Sequence, residues 1–249
     1  MRYKITFILF LFTILSFGQY PFEKFPSPKY NEYKNWKLYD WTKTKHTINY
    51  TITIPKFFKN KENLTIQLTS FSNNPKKQSI IRIFRNKNQI QKFTEKMSFT
   101  KLNISEPIRI ADINGDGLKD IKIIIPYQGN GIASLNVKVI YLFQTQKKKF
   151  IKISFSDMMI ENRPERDFDQ NGNFKIITMN LSNYKNHNYW TFNIFEYQNE
   201  KLVNVNRKYN YPILIQFLYK KNYKITDKID REKMKNFEMK LPNDYEIKK

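Results

Sequence analysis

The sequence of 249 residues contains no cysteine, six glycines and two histidines, His46 and His187. Without cysteine, the chain can form no disulfide, perform no thiol chemistry and carry no lipid through a thiol. It also lacks a paired-histidine motif, a Gly-rich phosphate loop and a nucleophile elbow. We therefore predict that the protein is not an enzyme. An exported hydrolase stays an alternative, because carboxylates such as Glu161 and Glu165 could act as a pair in a cleft.

Acidic residues are scarce: 22 Asp and Glu stand against 44 Lys and Arg, which gives a net charge of +22. This charge attracts acidic partners, such as an anionic glycan, an acidic protein or a nucleic acid. The lysines are scattered and no nucleic-acid motif accompanies them, so nucleic acid is the weakest of these partners. An AT-rich genome would produce the same excess of Lys, Asn, Ile, Tyr and Phe, and that explanation stays open.

Long apolar runs are absent except at the N-terminus. Met1–Gly18 contains two basic residues, an apolar run from Ile5 to Leu15 and small residues before Gln19. This order is typical of a secretory signal peptide, so we predict cleavage before Gln19 and a periplasmic or secreted protein. The two basic residues are the only charges of the segment, and its removal lowers the net charge from +22 to +20. No later segment is apolar enough to span a membrane.

Short runs with alternating apolar and polar residues fill the chain after Thr47, for example NYTITI, SIIRIF and NVKVIYLF. A period of two predicts strands that bury one face. Three predicted hairpins share an aromatic residue, a short polar turn and a polar–apolar pair, and they begin at Phe84, Phe143 and Tyr197. Their spacing is close to the length of a propeller blade. We predict an all-β fold of antiparallel hairpins with a propeller-like arrangement.

The two ends of the chain follow different patterns. Residues 19–46 are rich in aromatic residues, Pro and Lys without a period, which predicts an irregular leader. Asp227–Lys240 has a loose apolar stripe that Pro242 limits, which predicts a short C-terminal helix near 228–240. The predicted organisation is a signal peptide over 1–18, the leader over 19–46, an all-β calcium-binding domain over 47–225, and a C-terminal helix and tail over 226–249.

The segment DINGDGLKD carries the chemistry of a metal site. Side-chain oxygens stand at its first, third, fifth and ninth positions, a carbonyl is available at the seventh, and Gly117 at the sixth permits a sharp reversal. Alternating oxygen donors suit Ca²⁺, which takes six to eight oxygens, and no nearby Cys or His favours a softer metal. We predict that one structural Ca²⁺ binds to Asp112, Asn114, Asp116, the carbonyl of Leu118, and Asp120.

This loop differs from an EF-hand because strands flank it and Ile123 replaces the closing glutamate. It resembles the DxDxDGxxD loops of FG-GAP/VCBS-type β-propeller repeats. Ala111–Asn206, with its Gly-rich stretch Gln128–Gly131 and two following hairpins, is similar to a family of periplasmic, calcium-binding, propeller-like immunity proteins. These proteins inhibit lysozyme effectors of type IV secretion systems. The resemblance implies an inhibitor of a lysozyme-like toxin, although a strongly basic chain would repel a basic lysozyme.

A second stretch, Asp167–Asn173, repeats the first, third and fifth donors and the glycine at position six. Its ninth position is Lys175, which is a cation where a metal loop needs a carboxylate, and Asn171-Gly172 is a strong hairpin signal. We therefore predict a turn there. The sequence as a whole predicts an exported, calcium-stabilised binding protein whose partner is an unknown protein or an anionic glycan. The alternatives are the immunity-type inhibitor and the exported hydrolase.

Overall fold

The computed structural model describes residues 20–42, 47–71, 74, 76–96, 106–126, 130–159, 161–217 and 229–249. The predicted signal peptide, His46, Gln128 and the first residues of the predicted C-terminal helix lie outside these ranges. Within them, no helix is both long and apolar enough to cross a membrane.

The described residues form fifteen strands, and every pairing between them is antiparallel. The predicted all-β, antiparallel fold is therefore confirmed. The strands are β1 (Asn31–Tyr33), β2 (Lys37–Thr42), β3 (Thr47–Ile54), β4 (Leu64–Phe71), β5 (Ser79–Arg85), β6 (Asn88–Glu95), β7 (Ile108–Ala111), β8 (Asp120–Pro126), β9 (Asn136–Gln144), β10 (Phe150–Met158), β11 (Ile176–Tyr184), β12 (His187–Gln198), β13 (Lys201–Asn204), β14 (Ile213–Gln216) and β15 (Asn243–Lys248). Short 3-10 helices span Gly131–Leu135, Asn206–Tyr209 and Lys235–Phe237.

The strands form three sheets. A five-stranded meander has the order β2-β3-β4-β5-β6, and a six-stranded sheet has the order β1-β7-β8-β9-β10-β15. In the four-stranded sheet, β12 pairs with β11, β13 and β14. The long strand β12 pairs with β13 through Phe195–Gln198 and with β14 through Tyr189–Phe192.

The six-stranded sheet is the middle layer of the fold. Along β9, Ile140 and Leu142 belong to the core shared with the five-stranded sheet. Val139 and Tyr141 belong to the core shared with the four-stranded sheet. A strand that is apolar on both faces must be covered on both sides, so the three sheets stack as layers. The propeller-like part of the prediction is therefore not supported, because the sheets are neither closed nor arranged as blades.

The three similar hairpins of the sequence are present as β5–β6, β9–β10 and β12–β13. Each belongs to a different sheet. The hairpin pattern therefore recurs from layer to layer and does not mark the blades of a ring.

The leader is more regular than its composition suggests. Strand β1 pairs with β7, and β2 pairs with β3, so two segments of the leader extend two of the sheets. Phe22 is almost fully buried and its ring lies 5.2 Å from that of Phe192 in the four-stranded sheet. Pairing partners elsewhere in the chain and an aromatic anchor thus order a segment that has no period of its own.

The C-terminal segment contains a helix shorter than predicted and a strand that the sequence did not indicate. Helix α1 spans Arg231–Met234 and continues as the last 3-10 helix. The chain then becomes extended, because Met239 donates its N–H to Asn193 Oδ1 at 3.0 Å and its carbonyl accepts from the Asn204 amide at 2.6 Å. Strand β15 follows and pairs with β10 at the edge of the middle sheet, where charged residues are common in strands.

Candidate metal centre

The predicted metal loop connects β7 to β8, and the pair Ala111–Asp120 closes its base. Its first residue, Asp112, organises the backbone. One carboxylate oxygen accepts N–H bonds from Gly115 at 2.8 Å and Asp116 at 3.1 Å, and the other accepts from Gly117 at 2.8 Å. The loop is therefore wound around a carboxylate, which is the local behaviour expected of Asp at the start of a turn.

The third and fifth positions reinforce this winding. Asn114 donates its amide to Asp116 Oδ2 at 3.1 Å, and Asp116 Oδ1 accepts the N–H of Leu118 at 2.8 Å. Gly117 has a φ of 77°, a left-handed conformation that resists a side chain. A carboxylate oxygen has two lone pairs, so one N–H bond leaves it able to bind a cation as well.

The ninth residue, Asp120, is fully buried beneath the loop. Its two oxygens accept the N–H of Ile113 at 3.0 Å and the N–H of Gln144 in β9 at 2.9 Å. Burial raises the pKa of the Asp120 carboxyl to about 8, the nearby Asp116 and Asp112 carboxylates add to the rise, and the two N–H bonds oppose it. Asp120 therefore connects the loop to the middle sheet and carries an electrostatic cost.

Asp112, Asn114, Asp116 and Leu118 thus lie in the loop, and Asp120 is the first residue of β8 beneath it. Oxygen is the only donor element of the five predicted ligands. This donor set fits a hard cation such as Ca²⁺ and does not fit a soft metal. The part of the chain that the structure describes holds no group of three or more His, Cys, Asp or Glu side chains positioned around one metal.

The second stretch, predicted to be a turn, adopts the same winding as the metal loop. Asp167 accepts the N–H of Asn171 at 3.1 Å and that of Gly172 at 2.7 Å, and Asn171 Oδ1 accepts the N–H of Asn173 at 3.0 Å. These are the bonds from the fifth and sixth positions to the first, and from the seventh to the fifth. Each has a counterpart in the metal loop.

The two loops also lie against each other. The N–H of Phe174 donates to the carbonyl of Ile113 at 2.8 Å. A β-carbon added at Gly115 would lie 3.0 Å from the carbonyl oxygen of Gly172. The structure therefore contains two adjacent loops that have three hydrogen bonds from backbone N–H groups to side-chain oxygens in common. The sequence indicated each loop separately, but not that the two are neighbours.

The ninth position distinguishes the two loops. Lys175 is fully buried, and its ammonium donates to the carbonyl of Asn173 at 2.8 Å. The ammonium also lies 3.1 Å from Glu196 Oε1 and 3.8 Å from Asp169 Oδ2. Asn173 and Asp169 are the seventh and third positions of this loop, so the ammonium contacts two groups that would be ligands in a metal loop. The role of Glu196, which stands in β12, was not indicated by the sequence.

The carboxylates considered for a hydrolase do not form a pair. Glu161 is exposed, whereas Glu165 is buried and lies 2.9 Å from Lys122 Nζ. The hydroxyls of Tyr30 and Tyr141 also donate to Glu165. Burial raises the pKa of Glu165, but the Lys122 ammonium and the two hydroxyls outweigh it and lower the pKa below its usual range. This cluster connects the leader to the middle sheet.

Comparisons with protein-family models, with curated proteins and with solved structures find no match. The class of the protein is therefore defined by its own features, which are three stacked antiparallel sheets and two paired aspartate–glycine loops.

Proposed function

We propose that this chain is an exported binding protein whose fold is stabilised by one Ca²⁺ in the Asp112–Asp120 loop. Its partner in this proposal is an unidentified protein or an anionic glycan. Export is supported by the signal-peptide pattern of Met1–Gly18. Attraction to an acidic partner is supported by the net charge, which falls from +22 to +20 when that segment is removed.

The observation that carries the calcium proposal is the position of Lys175. In the second loop, an ammonium from the protein itself contacts the seventh carbonyl and approaches the third carboxylate. The first loop has the same winding but carries Asp120 at the ninth position. Among the described residues, no Lys, Arg or His forms an ion pair with Asp112, Asp116 or Asp120. This contrast at the ninth position supports a cation from solution in the first loop.

In this proposal, calcium stabilises the folded protein and takes no part in a reaction. Asp112 and Asp116 repel each other across a single turn, and burial raises the pKa of Asp120 beside them. A dication bound to all three would convert the repulsion into attraction and favour the ionised form of Asp120. The ion would be held by these three carboxylates, the Asn114 side chain and the Leu118 carbonyl. Exposed lysines around the loop raise the local positive potential, so we expect an affinity typical of extracellular modules, roughly 10⁻⁴–10⁻³ M.

The test is thermal unfolding of the purified protein in 10 mM calcium and in chelator. This calcium concentration is about ten to a hundred times the expected Kd. Binding to the folded state should therefore add about 1.4–2.7 kcal/mol to the free energy of unfolding and raise the melting temperature by about 3–10 °C. Asp116→Ala should abolish this difference. Asn171→Ala is the matched control, because it removes the fifth side chain of the second loop and should leave the calcium response intact.

An unchanged melting temperature, together with no heat on calcium titration, would show that the Asp112–Asp120 loop is only a turn. A calcium response that persists in Asp116→Ala would show that the effect of calcium does not depend on this loop, and loss of the response in both variants would show that it is not specific to this loop.

A further inference from the structure

One end of the molecule collects four connections between strands. Residues 55–63, 86–87, 112–119 and 145–149 join β3 to β4, β5 to β6, β7 to β8 and β9 to β10. All four carry exposed lysines, and we call this set the basic end. Its eight members are Lys56, Lys59, Lys61, Lys87, Lys119, Lys147, Lys148 and Lys149.

Contacts between the connections show that they lie side by side. Lys119 Nζ donates to the carbonyl of Lys56 at 3.2 Å, which joins the metal loop to the β3–β4 connection. Asn86 donates its N–H to the carbonyl of Asn63 at 2.9 Å. The Gln91 amide of β6 donates to the carbonyl of Phe150 at 2.9 Å, which brings the β9–β10 turn to the same end.

The lysines of the basic end keep their charge available to a partner. None of the eight forms an ion pair with a carboxylate among the described residues. Glu62, an acidic residue of the same connections, is bound instead by the Arg85 guanidinium. The other acidic residues of the four connections are Asp112 and Asp116 in the metal loop, so eight exposed lysines outnumber the acids at this end.

Three lysines of the basic end have a backbone conformation that lysine rarely adopts. Lys56, Lys61 and Lys148 have φ values of 51°, 63° and 59°, a left-handed conformation that Asn adopts more readily than Lys. Asn occupies a position of this kind at the same end, Asn86 with a φ of 52°. Lysine also adopts this conformation outside the basic end, at Lys185, so the three positions serve as sites where asparagine can replace lysine without strain.

The chemistry of the basic end selects the kind of partner. Single-stranded nucleic acids and protein partners are usually bound through exposed aromatic side chains. The only large exposed hydrophobic residue in the described part of the chain is Leu241. The eight charges belong to lysines, which act as point charges and lack the bidentate geometry of arginine. These features suit a flexible chain of repeated anionic groups without bases.

We propose that the basic end binds an acidic polysaccharide through the eight lysines on its four connections. This inference rests on the proposed binding function, because it names the surface and the partner class of that function. Calcium is not required for it, since the lysines belong to the protein with or without the ion, although an ion bound at the acidic loop would strengthen the attraction.

The experiment uses two triple variants with equal loss of charge. Lys56→Asn, Lys61→Asn and Lys148→Asn together change the basic end at positions whose conformation asparagine tolerates, so this variant should fold at least as well as the wild type. The control changes exposed lysines near the opposite ends of the strands, namely Lys76→Asn, Lys96→Asn and Lys185→Asn. Lys185 has a φ of 48°, which matches the conformation of the first set.

Binding is measured by calorimetry with polygalacturonate and with dextran sulfate, at several salt concentrations, in calcium and in chelator. We expect the basic-end variant to lose about tenfold or more in affinity at low salt, and the control variant to lose much less. The slope of log K against log salt should fall by about 2, which is roughly 0.7 for each of three lost contacts. Neutral dextran should not bind.

The inference is overturned if neither acidic polymer binds, if both variants lose affinity equally, or if duplex DNA of equal charge binds more tightly than both polymers. Each of these results leaves the calcium response of the melting temperature to be judged separately. Conversely, an absent calcium response combined with selective loss of polymer binding would support the basic end and refute the calcium part of the proposed function.

Discussion

Exchanging the ninth residue of the second loop should convert it into a metal loop. Lys175→Asp gives that loop the same donor pattern as Asp112–Asp120, with side-chain oxygens at positions one, three, five and nine. Lys175→Met removes the ammonium and adds no donor. We expect the first variant to bind one more Ca²⁺ than the second, because only the first restores a complete donor set.

The contacts of Lys175 determine how much stability is lost when its ammonium is removed. Removal of one member of a buried ion pair costs about 3–5 kcal/mol when its partner is left alone. The partners here keep other donors: Asp169 retains Lys208 and Tyr209, and Glu196 retains the amides of Asn173 and Gln198. We therefore expect Lys175→Met to cost about 2–3 kcal/mol, or about 4–12 °C in melting temperature.

Calcium should separate the two variants. In chelator, Lys175→Asp should be the less stable of the two, because it adds a carboxylate to an acidic loop. In 10 mM calcium, the free energy of unfolding of Lys175→Asp should rise by about 1.4–2.7 kcal/mol more than that of Lys175→Met. This estimate takes a Kd of roughly 10⁻⁴–10⁻³ M for the new site. Calorimetry should count two ions for Lys175→Asp and one for Lys175→Met. Equal calcium uptake by both variants would refute the correspondence between the loops.

Two further predictions test the packing of the loops and the buried charges. Gly115→Ala should destabilise the protein more than Gly117→Ala in thermal melts, because both residues have positive φ but only a β-carbon at position 115 would meet the Gly172 backbone; equal losses would contradict the close approach of the loops. The lowered pKa of Glu165 contributes stability that is present above its unfolded pKa of about 4.3 and is lost as pH falls through the folded pKa. Glu165→Gln should therefore flatten the dependence of stability on pH in that acid range, and an unchanged slope in acid unfolding would contradict the assignment.

Alternation in the sequence predicted the strands because a period of two reports which residues share a face of a sheet. It did not predict how the sheets are arranged. Residues such as Ile124 and Leu142 are buried on opposite faces of the middle sheet, and a strand pattern does not state which sheet covers each face. Strands β1 and β15 escaped prediction because they are ordered by partners distant in sequence, whereas β2 pairs with the neighbouring strand β3 and lacks a clear alternating pattern of its own.

Buried lysines were the second feature that the sequence concealed. Lys122, Lys138, Lys152 and Lys175 each stand between apolar residues, in IKI, VKV, IKI and FKI, and each is buried beside a glutamate. A lysine within a strand is normally taken to face solvent. Its burial depends on a carboxylate brought from elsewhere in the chain, which no local pattern reports. The only sequence feature that indicated their burial was the apolar residue directly before and after each of these lysines.

The order of donors along a loop is a local property, so spacing alone was enough to predict Asp112, Asn114, Asp116 and Asp120 as candidate ligands. The structure winds the loop around Asp112 and places Asp120 in the strand beneath it, and metal binding there stays a prediction. Spacing could not show that the second loop packs against the first, nor that the Lys175 ammonium reaches the acceptors of its own loop. In the calcium proposal, that juxtaposition makes Lys175 a substitute for the metal of the first loop.

The position of the acidic loop within the basic end gives it a role that its charge alone would not suggest. Asp116 is an exposed carboxylate among connections that carry eight exposed lysines, so without an ion it attracts those lysines and repels an anionic polymer. In the two proposals made above, Ca²⁺ neutralises the loop and leaves the lysines to the polymer. Linkage then requires that whatever factor calcium adds to the affinity for the polymer, the polymer adds to the affinity for calcium. A loop that binds calcium weakly when the protein is free would thus be filled when the polymer is bound.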